Sequence, residues 1–559
     1  MQLRSNVSFL FSLFHHRRVQ YKSYDDRDGN GPAKRELKFR SNRPSGAQLE
    51  NVRTRQGAAT MTTAQDYFKL FFTIEVIQQI CDYTNKYANA HIANNSTYAS
   101  SDGTWNPVTV DEMWSLIGLL IYMGLARFPD IESYWSTATL YHGSWSRSFM
   151  SRDRYKAIMS FLHVVDPDTE DPNDVLRKVR FLLDHMKQTC QALYQPHEHI
   201  AIDERMVRSK GRFSIRQYIR DKPTKWGFKL WVVADSKTGY TFDFDVYIGR
   251  REQASENGLS YDVVFSLCEN LLHQGYKLYI DNFYTSMKLL TDLKRNQVWA
   301  CGTANSNRRG FPVEFKTTIK DWSRNASRGN MRWVRSDGNL VQQWKDNKAI
   351  SMISSFHDAN DFEYCRRRVK ERGQFHRKLV RQPMAVRDYN SYMGGVDRSD
   401  QLLSNYDILR KTVKYWKTLF FHFVDIAIIN SFILFQDWRG KHANVEALHR
   451  PSRYDPRNFR EELCRQLGGI NDDDPVPLYR PVAPQAAAVP VPANDPEFFH
   501  LPEDSVDRLD CKVCAKTMKK NAYKSYVRCL RCDVHLCMNK KRNCYYTFHT
   551  DPSFKDSVK

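Results

Sequence analysis

Cysteine is scarce through most of this chain. Before residue 511 it occurs six times, always singly, at Cys81, Cys190, Cys268, Cys301, Cys365 and Cys464. Scattered thiols of this kind build no disulfide framework and fit a reducing compartment. Acidic charge is in deficit too: 63 Asp and Glu face 84 Lys and Arg, a formal net charge of +21. That balance points to a polyanionic partner, most simply nucleic acid. Long unbroken hydrophobic runs are missing. The longest, residues 419–435, carries His422, Asp425 and Asn430, so it reads as a buried helix and not as a membrane span. The stretch 7–14 is short, broken by serine, and runs into His15-His16-Arg17-Arg18. No small-residue cleavage site follows it, unlike a secretory leader. Asp25, Asp26 and Asp28 argue against a transit peptide.

What is present is 13% aromatic residues over 559 positions, ample for real cores, and a length that suggests about three or four domains. Residues 1–62 are polar and aperiodic and are expected to be disordered. Residues 63–198 read as all-helical. Thr73 can cap a helix carrying Ile74, Ile77, Ile80 and Cys81 on one face. Thr109 and Glu112 have capping-box spacing ahead of Met113, Trp114, Ile117 and Leu120, and Ser151 opens a third helix. Residues 178–193 make one more. From 199 to 307 the pattern changes to an α/β core. A short strand ends in Asp203-Glu204, and two β-rich runs flank the turn Asp235-Ser236-Lys237-Thr238-Gly239. Helices follow at 260–273 and 286–295, around a strand ending in Asp281. Residues 308–385 are short-patterned and basic, with Arg366-Arg367-Arg368, Lys370 and Arg372, and read as an insertion. The core resumes over 386–406, helix over 407–470. A Pro/Ala-rich linker spans 471–508, and a cysteine-rich module 509–552.

The stretch around which this is organised is Tyr392-Met393-Gly394-Gly395-Val396-Asp397, followed by Asp400-Gln401. Paired glycines allow a backbone bend, and Asp397 and Asp400 would share one face of a helix starting there. Arg410, Lys411, Lys414 and Lys417 come next. Acids beside cations suit a metal and a polyanion at one site. They equally suit a helix N-terminus whose dipole is complemented by acids. Asp203 and Asp281, each at a strand end, would stand at the sheet edge where α/β proteins bind ligands. Hard oxygen donors suit Mg²⁺, and two such ions can serve phosphoryl transfer.

In order and spacing these blocks resemble the piggyBac-type DNA transposases. The first is Ile202-Asp203-Glu204 with Gly211-Arg212, Lys222-Pro223, Lys225-Trp226-Gly227 and Asp235. The second is Asp281-Asn282-Phe283-Tyr284-Thr285-Ser286, then Gly302-Thr303. The third is the glycine motif with Arg410-Lys411-Thr412. The resemblance runs from about Tyr67 to the C-terminus. It implies an RNase H-like catalytic core in which Asp203, Asp281 and Asp397 hold two Mg²⁺, with Asp400 nearby. It also implies an inserted domain between the second and third aspartates, and flanking helices that form a dimerisation and DNA-binding domain. The implied activity is cutting at transposon ends through a hairpin made by the freed 3′-hydroxyl, then joining to TTAA targets without a scar, in the nucleus. One departure stands out: where the family carries Gly-Thr-x-Arg, this chain has Asn305, with Arg308 and Arg309 close by.

The tail is a separate signal. Cys511, Cys514, Cys529, Cys532, His535, Cys537, Cys544 and His549 supply eight ligands, enough for two tetrahedral Zn²⁺. A cross-brace would give Cys511, Cys514, His535 and Cys537 to one ion and Cys529, Cys532, Cys544 and His549 to the other. His535 is the weakest of these, since a loop position would serve it equally. Lys512, Lys516, Lys519, Lys520, Lys524, Arg528 and Arg531 surround them, and in the resembled family this module binds the transposon end. Expected phosphate contacts are Lys222, Lys225, Arg308, Arg309, Arg410, Lys411 and Lys414, with Arg366 to Arg368. A solvated surface is the competing reading for each, and Trp416 is expected in the core. Three functions compete: a Mg²⁺-dependent transposase, a domesticated DNA-binding derivative without transposition, and a chromatin protein whose zinc module reads a protein tail.

Overall fold

The structure is a computed structural model of the chain. It describes residues 38–50, 61–92, 96–100, 104–136, 138, 141, 144–220, 222–249, 255–371, 374–471, 474, 502–518, 521–529, 532–551 and 553–554. Two compact units emerge, Met1–Arg480 and Pro481–Lys559.

In the first unit, helices begin where side chains satisfy the orphan N–H groups of a first turn. After α1 (Ala64–Phe68), Thr73 accepts from Val76 N to open α2 (Ile74–His91). The Thr109/Glu112 box is formed in both directions at 3.2 Å and opens α3 (Val110–Leu125). Ser151 caps α4 (Arg152–Phe161), and α5 (Arg180–Leu193) follows. Part of the N-terminal segment expected to be disordered is ordered. Gly46–Ala47 (β1) pairs with Tyr194–Gln195 (β2), Ala47 and Leu49 are buried, and Arg43 donates to the carbonyls of Gln191, Ala192 and Tyr194. Composition missed this because the pairing and the Arg43 bonds that tie the segment to the fold reach chain about 150 positions away. The remaining positions of 1–62, residues 1–37 and 51–60, lie outside the described residues.

The centre is a mixed sheet of β3 (His199–Arg208), β4 (Gln217–Tyr218), β5 (Trp226–Asp235), β6 (Thr241–Val246), β7 (Lys277–Ile280), β8 (Trp299–Thr303), β9 (Met331–Ser336), β10 (Asn339–Lys345) and β11 (Ala349–Ser354). β4, β5, β3, β7, β8, β11, β10 and β9 lie side by side in that order, and β6 also pairs β5. β3, β7 and β8 run parallel, while β5 and β11 are antiparallel to their neighbours. Ile200, Ile202, Leu278 and Ile280 on one face and Ala201 and Tyr279 on the other are fully buried, as expected where a parallel sheet is covered on both faces. Helix α6 (Leu259–Leu267) precedes β7, and α7 (Met287–Arg295), capped by Ser286, follows it.

The stretch read as an insertion is not separate from the sheet. β11 pairs with β8, Met352 opposite Thr303, so β9 to β11 extend the core. Among the described strands of this stretch, β12 (Phe362–Glu371) and β13 (Gln374–Pro383) stand outside the sheet, as a two-stranded ribbon. Then come α8 (Met384–Tyr392), α9 (Gly395–Ser404), α10 (Tyr415–Lys441) and α11 (Pro456–Gly468). Among the described residues α10 is the one helix long and apolar enough to cross a membrane, and it is buried inside this unit, Trp416 included. It carries Asp425, whose carboxylate accepts from Arg460 at 3.0 Å and from Ile408 N at 3.1 Å. Burial pushes that carboxyl up to about 7, against the pull of Arg460.

In the second unit β14 (Pro502–Asp510), β15 (Lys524–Cys529) and β16 (Val534–His535) form a small antiparallel sheet with α12 (Lys512–Met518) and α13 (Cys544–Thr550). The strand at Pro502–Asp510 begins inside the stretch assigned to the linker; pairing with β15 holds it. Most of 471–508 lies outside the described residues.

Removing one member of a buried ion pair costs far more than removing a cap. Arg460→Ala should destabilise the first unit by about 3–5 kcal/mol, and Thr109→Ala by about 1 kcal/mol. Paired thermal and urea melts of the full chain check the difference.

Candidate active site and metal centres

Register brings two aspartates together. Ile202 of β3 lies opposite Ile280 of the parallel β7, so Asp203 and Asp281 follow at the same level of adjacent strands. Carboxylate oxygens of Asp203, Glu204 and Asp281 all lie within 4.8 Å of one another. Asp203 Oδ1 accepts from Glu204 N, and Asp281 Oδ1 from Phe283 N, each at 2.8 Å. The Thr285 hydroxyl donates to Asp281 O at 2.7 Å. A side chain at Gly302 would put its Cβ 2.1 Å from that hydroxyl oxygen and 2.6 Å from Ile280 O, so this turn closes only over glycine. Burial pushes Asp203 up to about 7, with Lys222 opposing. Burial, then the Glu204 charge, raises Asp281. Lys222 Nζ stands 3.7 Å from Asp203 Oδ2 and donates to Glu204 O at 3.1 Å. Lys229 pairs with Glu204 at 2.8 Å. Three crowded hard-oxygen donors with incomplete cationic compensation fit a divalent cation such as Mg²⁺.

Asp397 lies outside this close group. It sits in the first turn of α9, exposed. With Glu204, Lys222 and Asp400 it lines a cleft of about 540 Å³. The third carboxylate beside Asp203 and Asp281 is therefore Glu204, which strand alternation hides. Its neighbour Arg205 was also missed: buried, it donates to Asp400 Oδ1 at 2.5 Å and Ser399 Oγ at 2.8 Å, tying α9 to β3. Burial raises the Asp400 carboxyl, and Arg205 opposes. The paired glycines make no unusual bend. Gly394 has φ −72°, and neither glycine has positive φ. Gly395 serves close approach: a Cβ there would lie 3.1 Å from Ser236 Cα and 3.3 Å from Ala201 Cβ. Ser236 Oγ donates to Tyr392 O at 2.6 Å, and His199 stacks on Tyr392 with ring centres 3.6 Å apart.

The expected phosphate contacts divide. Arg410 is spent on the protein: it donates to Met123 O and, at 2.7 Å, to the Tyr134 hydroxyl. Arg308 donates to Phe283 O and, at 3.3 Å, to Asn282 O, holding the turn after Asp281. Asn305 O in turn accepts from Arg308 N at 3.0 Å. Lys414 is half-buried, its pKa lowered by burial and by Lys178. Lys225, Arg309 and Lys411 are exposed. Arg309 lines a second cleft of about 840 Å³ with Lys288, Arg295 and Arg308.

In the second unit, Cys511, Cys514, Cys537 and Cys544 form one group with sulfurs within 4.8 Å, and Cys529, Cys532 and His549 another. The pairing read from spacing is corrected in two places. Cys544, at the start of α13, joins the first set. His535 belongs to neither set among the described residues: it is buried, with Nδ1 2.8 Å from Ser525 O. β15 and β16 align that imidazole with backbone, which spacing does not reveal. His549 Nδ1 lies 2.7 Å from Tyr545 O, leaving Nε2 toward Cys532 Sγ at 3.6 Å, the arrangement of an oriented metal-binding imidazole. Against burial, the N–H groups of Cys514 and Cys537 hold the Cys511 thiol below its ordinary value. These donor sets fit zinc. Lys519, Lys520 and Arg531 lie outside the described residues.

Residues 63–432 match the family model described as Transposase IS4. Human PiggyBac transposable element-derived protein 3 is 28% identical over 506 residues, covering 88% of this chain and 77% of its own. Human PiggyBac transposable element-derived protein 5 is 24% identical over 429 residues, covering 74% and 77%. In fold the chain is similar to the piggyBac transposase seen by cryo-EM in a synaptic complex with hairpin DNA. That match has a TM-score of 0.63 at 24% identity and covers 89% of this chain and 98% of that one.

The zinc grouping has a direct consequence. Cys544→Ser should lower the metal content of the purified full chain as Cys511→Ser does, whereas His535→Ala should leave it unchanged. Elemental analysis reads both.

Proposed function

This chain belongs to the piggyBac-type transposases, the family whose model spans residues 63–432, and from that membership we propose that it is a metal-dependent DNA transposase. The observation that carries the proposal is the convergence of Asp203 and Glu204, midway along β3, with Asp281, just past the end of β7, within 4.8 Å, beside a cleft that Asp397 lines. In this reading β6, β5, β3, β7 and β8 are an RNase H-like core. Asp203, Asp281 and Asp397 would hold two Mg²⁺. Bound there, the ions would activate the attacking oxygen and stabilise the leaving oxygen.

The chain's own residues have separable tasks. Arg308 fixes the turn that presents Asp281, and Arg205 fixes α9 through Asp400 and Ser399. Lys222 offsets charge beside Asp203. Exposed Lys225, Arg309 and Lys411 are available to phosphates. The reaction is cutting at transposon ends through hairpin intermediates, with joining to TTAA targets. The helices of 63–198 and 407–470 would serve dimerisation and DNA binding, and the zinc module would bind the transposon end. The work would be done in the nucleus, by a homodimer.

The second reading is a domesticated derivative that binds DNA without moving it. Two observations favour it: curated relatives are named as element-derived proteins, and Asn305 replaces an arginine of the resembled motif.

Excision of a TTAA-flanked element bearing the ends that flank this coding region decides between them. The wild type should excise. Asp203→Asn and Asp281→Asn should each lose on the order of a hundredfold or more, through several kcal/mol of transition-state stabilisation, while keeping DNA binding. Excision by neither wild type nor variants sinks the transposase reading and leaves the derivative.

A further inference from the structure

The ribbon of β12 and β13 has two unlike faces. Residues directly opposite across an antiparallel pair share a face, and Tyr364 lies opposite Arg381, Arg366 opposite Leu379, and Arg368 opposite Arg377. One face therefore presents Phe362, Tyr364, Arg366, Arg368, Arg377, Leu379 and Arg381, all exposed, with Phe375 beyond them. No carboxylate occupies a described position of this face. The other face anchors the ribbon. Cys365 and Val380 pack in a buried cluster, and Asp346 bridges Arg328 at 2.5 Å and Arg367 at 3.4 Å. Trp344 Nε1 donates to Arg381 O at 2.7 Å.

Exposed large apolar side chains gathered on one face and rimmed by polar groups mark an interaction site. Tyr364 is 58%, Phe375 56% and Leu379 60% exposed. They alternate with guanidinium groups: Arg368 lies 3.9 Å from the Phe375 ring centre, and Arg381 4.8 Å from that of Phe362. Rings interleaved with cations along a strip about 30 Å long match the requirements of an unpaired nucleic-acid strand, whose bases stack on aromatic faces while its phosphates meet cations. Duplex DNA hides its base faces and would leave the rings unused. A second copy of the same ribbon face would oppose arginine to arginine.

We propose that this ribbon face is a binding platform for single-stranded DNA, Tyr364 and Phe375 stacking on bases while Arg366, Arg368, Arg377 and Arg381 meet phosphates. The proposal rests on the transposase reading only for the source of such a strand, since strand cutting next to a hairpin exposes unpaired nucleotides. The site itself does not contain Asp203, Asp281 or Asp397.

Fluorescence anisotropy of the full chain tests it, with a labelled oligothymidylate and a labelled duplex as probes. Tyr364→Ala/Phe375→Ala should weaken oligothymidylate binding by roughly tenfold or more for each ring and leave duplex binding within about twofold. Tyr364→Phe should restore its share. Arg366→Gln/Arg377→Gln should reduce the log–log salt dependence on the single strand by about 1.4, at about 0.7 per phosphate contact. An unchanged melting temperature shows that folding is intact; should the alanine variant melt early, the Tyr364→Phe and arginine variants carry the test. Equal losses on both probes, or no loss on the single strand, overturn the proposal. A chain that fails to excise but shows ring-dependent single-strand binding loses the transposase reading and keeps this one.

Discussion

Three carboxylates held together in a half-buried place repel one another, and much of the first unit is arranged around that repulsion. At 4.8 Å or less two unit charges oppose each other by roughly 3 kcal/mol or more at an effective dielectric near 20. Nothing local would choose such an arrangement. It is imposed by the parallel pairing of β3 with β7, whose buried Ile200, Ile202, Leu278 and Ile280 supply the apolar burial that outweighs it. Lys222 and Lys229 relieve part of the charge. Burial first, and the neighbouring carboxylate charges after it, raise Asp203 and Asp281, and a bound divalent cation would oppose both effects.

The same constraint explains the packing of α9. A helix bearing Asp397 and Asp400 must be brought against the already acidic middle of β3. Arg205 makes that approach favourable, since its guanidinium is buried between Asp400, Ser399 and Thr241. On the far side Gly395 lets the helix start against Ser236 with almost no clearance, and Arg398 donates to Lys237 O. The β5–β6 turn thus holds the helix start while Arg205 holds its second turn.

Much of this was legible in the sequence where the signal is local. Thr73, Thr109 and Ser151 cap the helices their spacing announces, because a first turn needs acceptors within three residues. Asp203 and Asp281 read as strand-end acids: Asp281 does follow the end of β7, whereas Asp203 lies midway along β3, which continues to Arg208 through its pairing with β5. What was not legible depends on partners far along the chain. Glu204 follows Asp203, so alternation turns it away, yet its side chain reaches back to the pair. Arg205 finds Asp400 195 positions away. Cys544 joins Cys511 and Cys514 instead of Cys529 because α13 begins there. The extension of the sheet by β9 to β11 rests on one edge, β8 with β11, which short basic segments do not advertise.

Net charge is the least specific of these signals, and the structure shows why. Arg205, Arg335, Lys417 and Arg460 are all nearly fully buried. Arg205 and Arg460 answer carboxylates, while Arg335 and Lys417 donate to carbonyls. Half-buried Arg410 joins them, held by Met123 and Tyr134. Cations like these contribute to an excess of +21 without offering anything to a phosphate. The field that a polyanion meets is set by exposed groups such as Lys225, Arg309, Lys411 and the ribbon arginines. Lys225, Arg309 and Lys411 lie in loops and the ribbon arginines on a two-stranded ribbon, where the backbone gives them no interior to enter. A basic residue in this fold is therefore read from what lies beside it: an apolar helix neighbour draws it inward to a carbonyl, as with Lys417 in α10, and an exposed ring beside it keeps it at the surface, as with Arg368 beside Phe375.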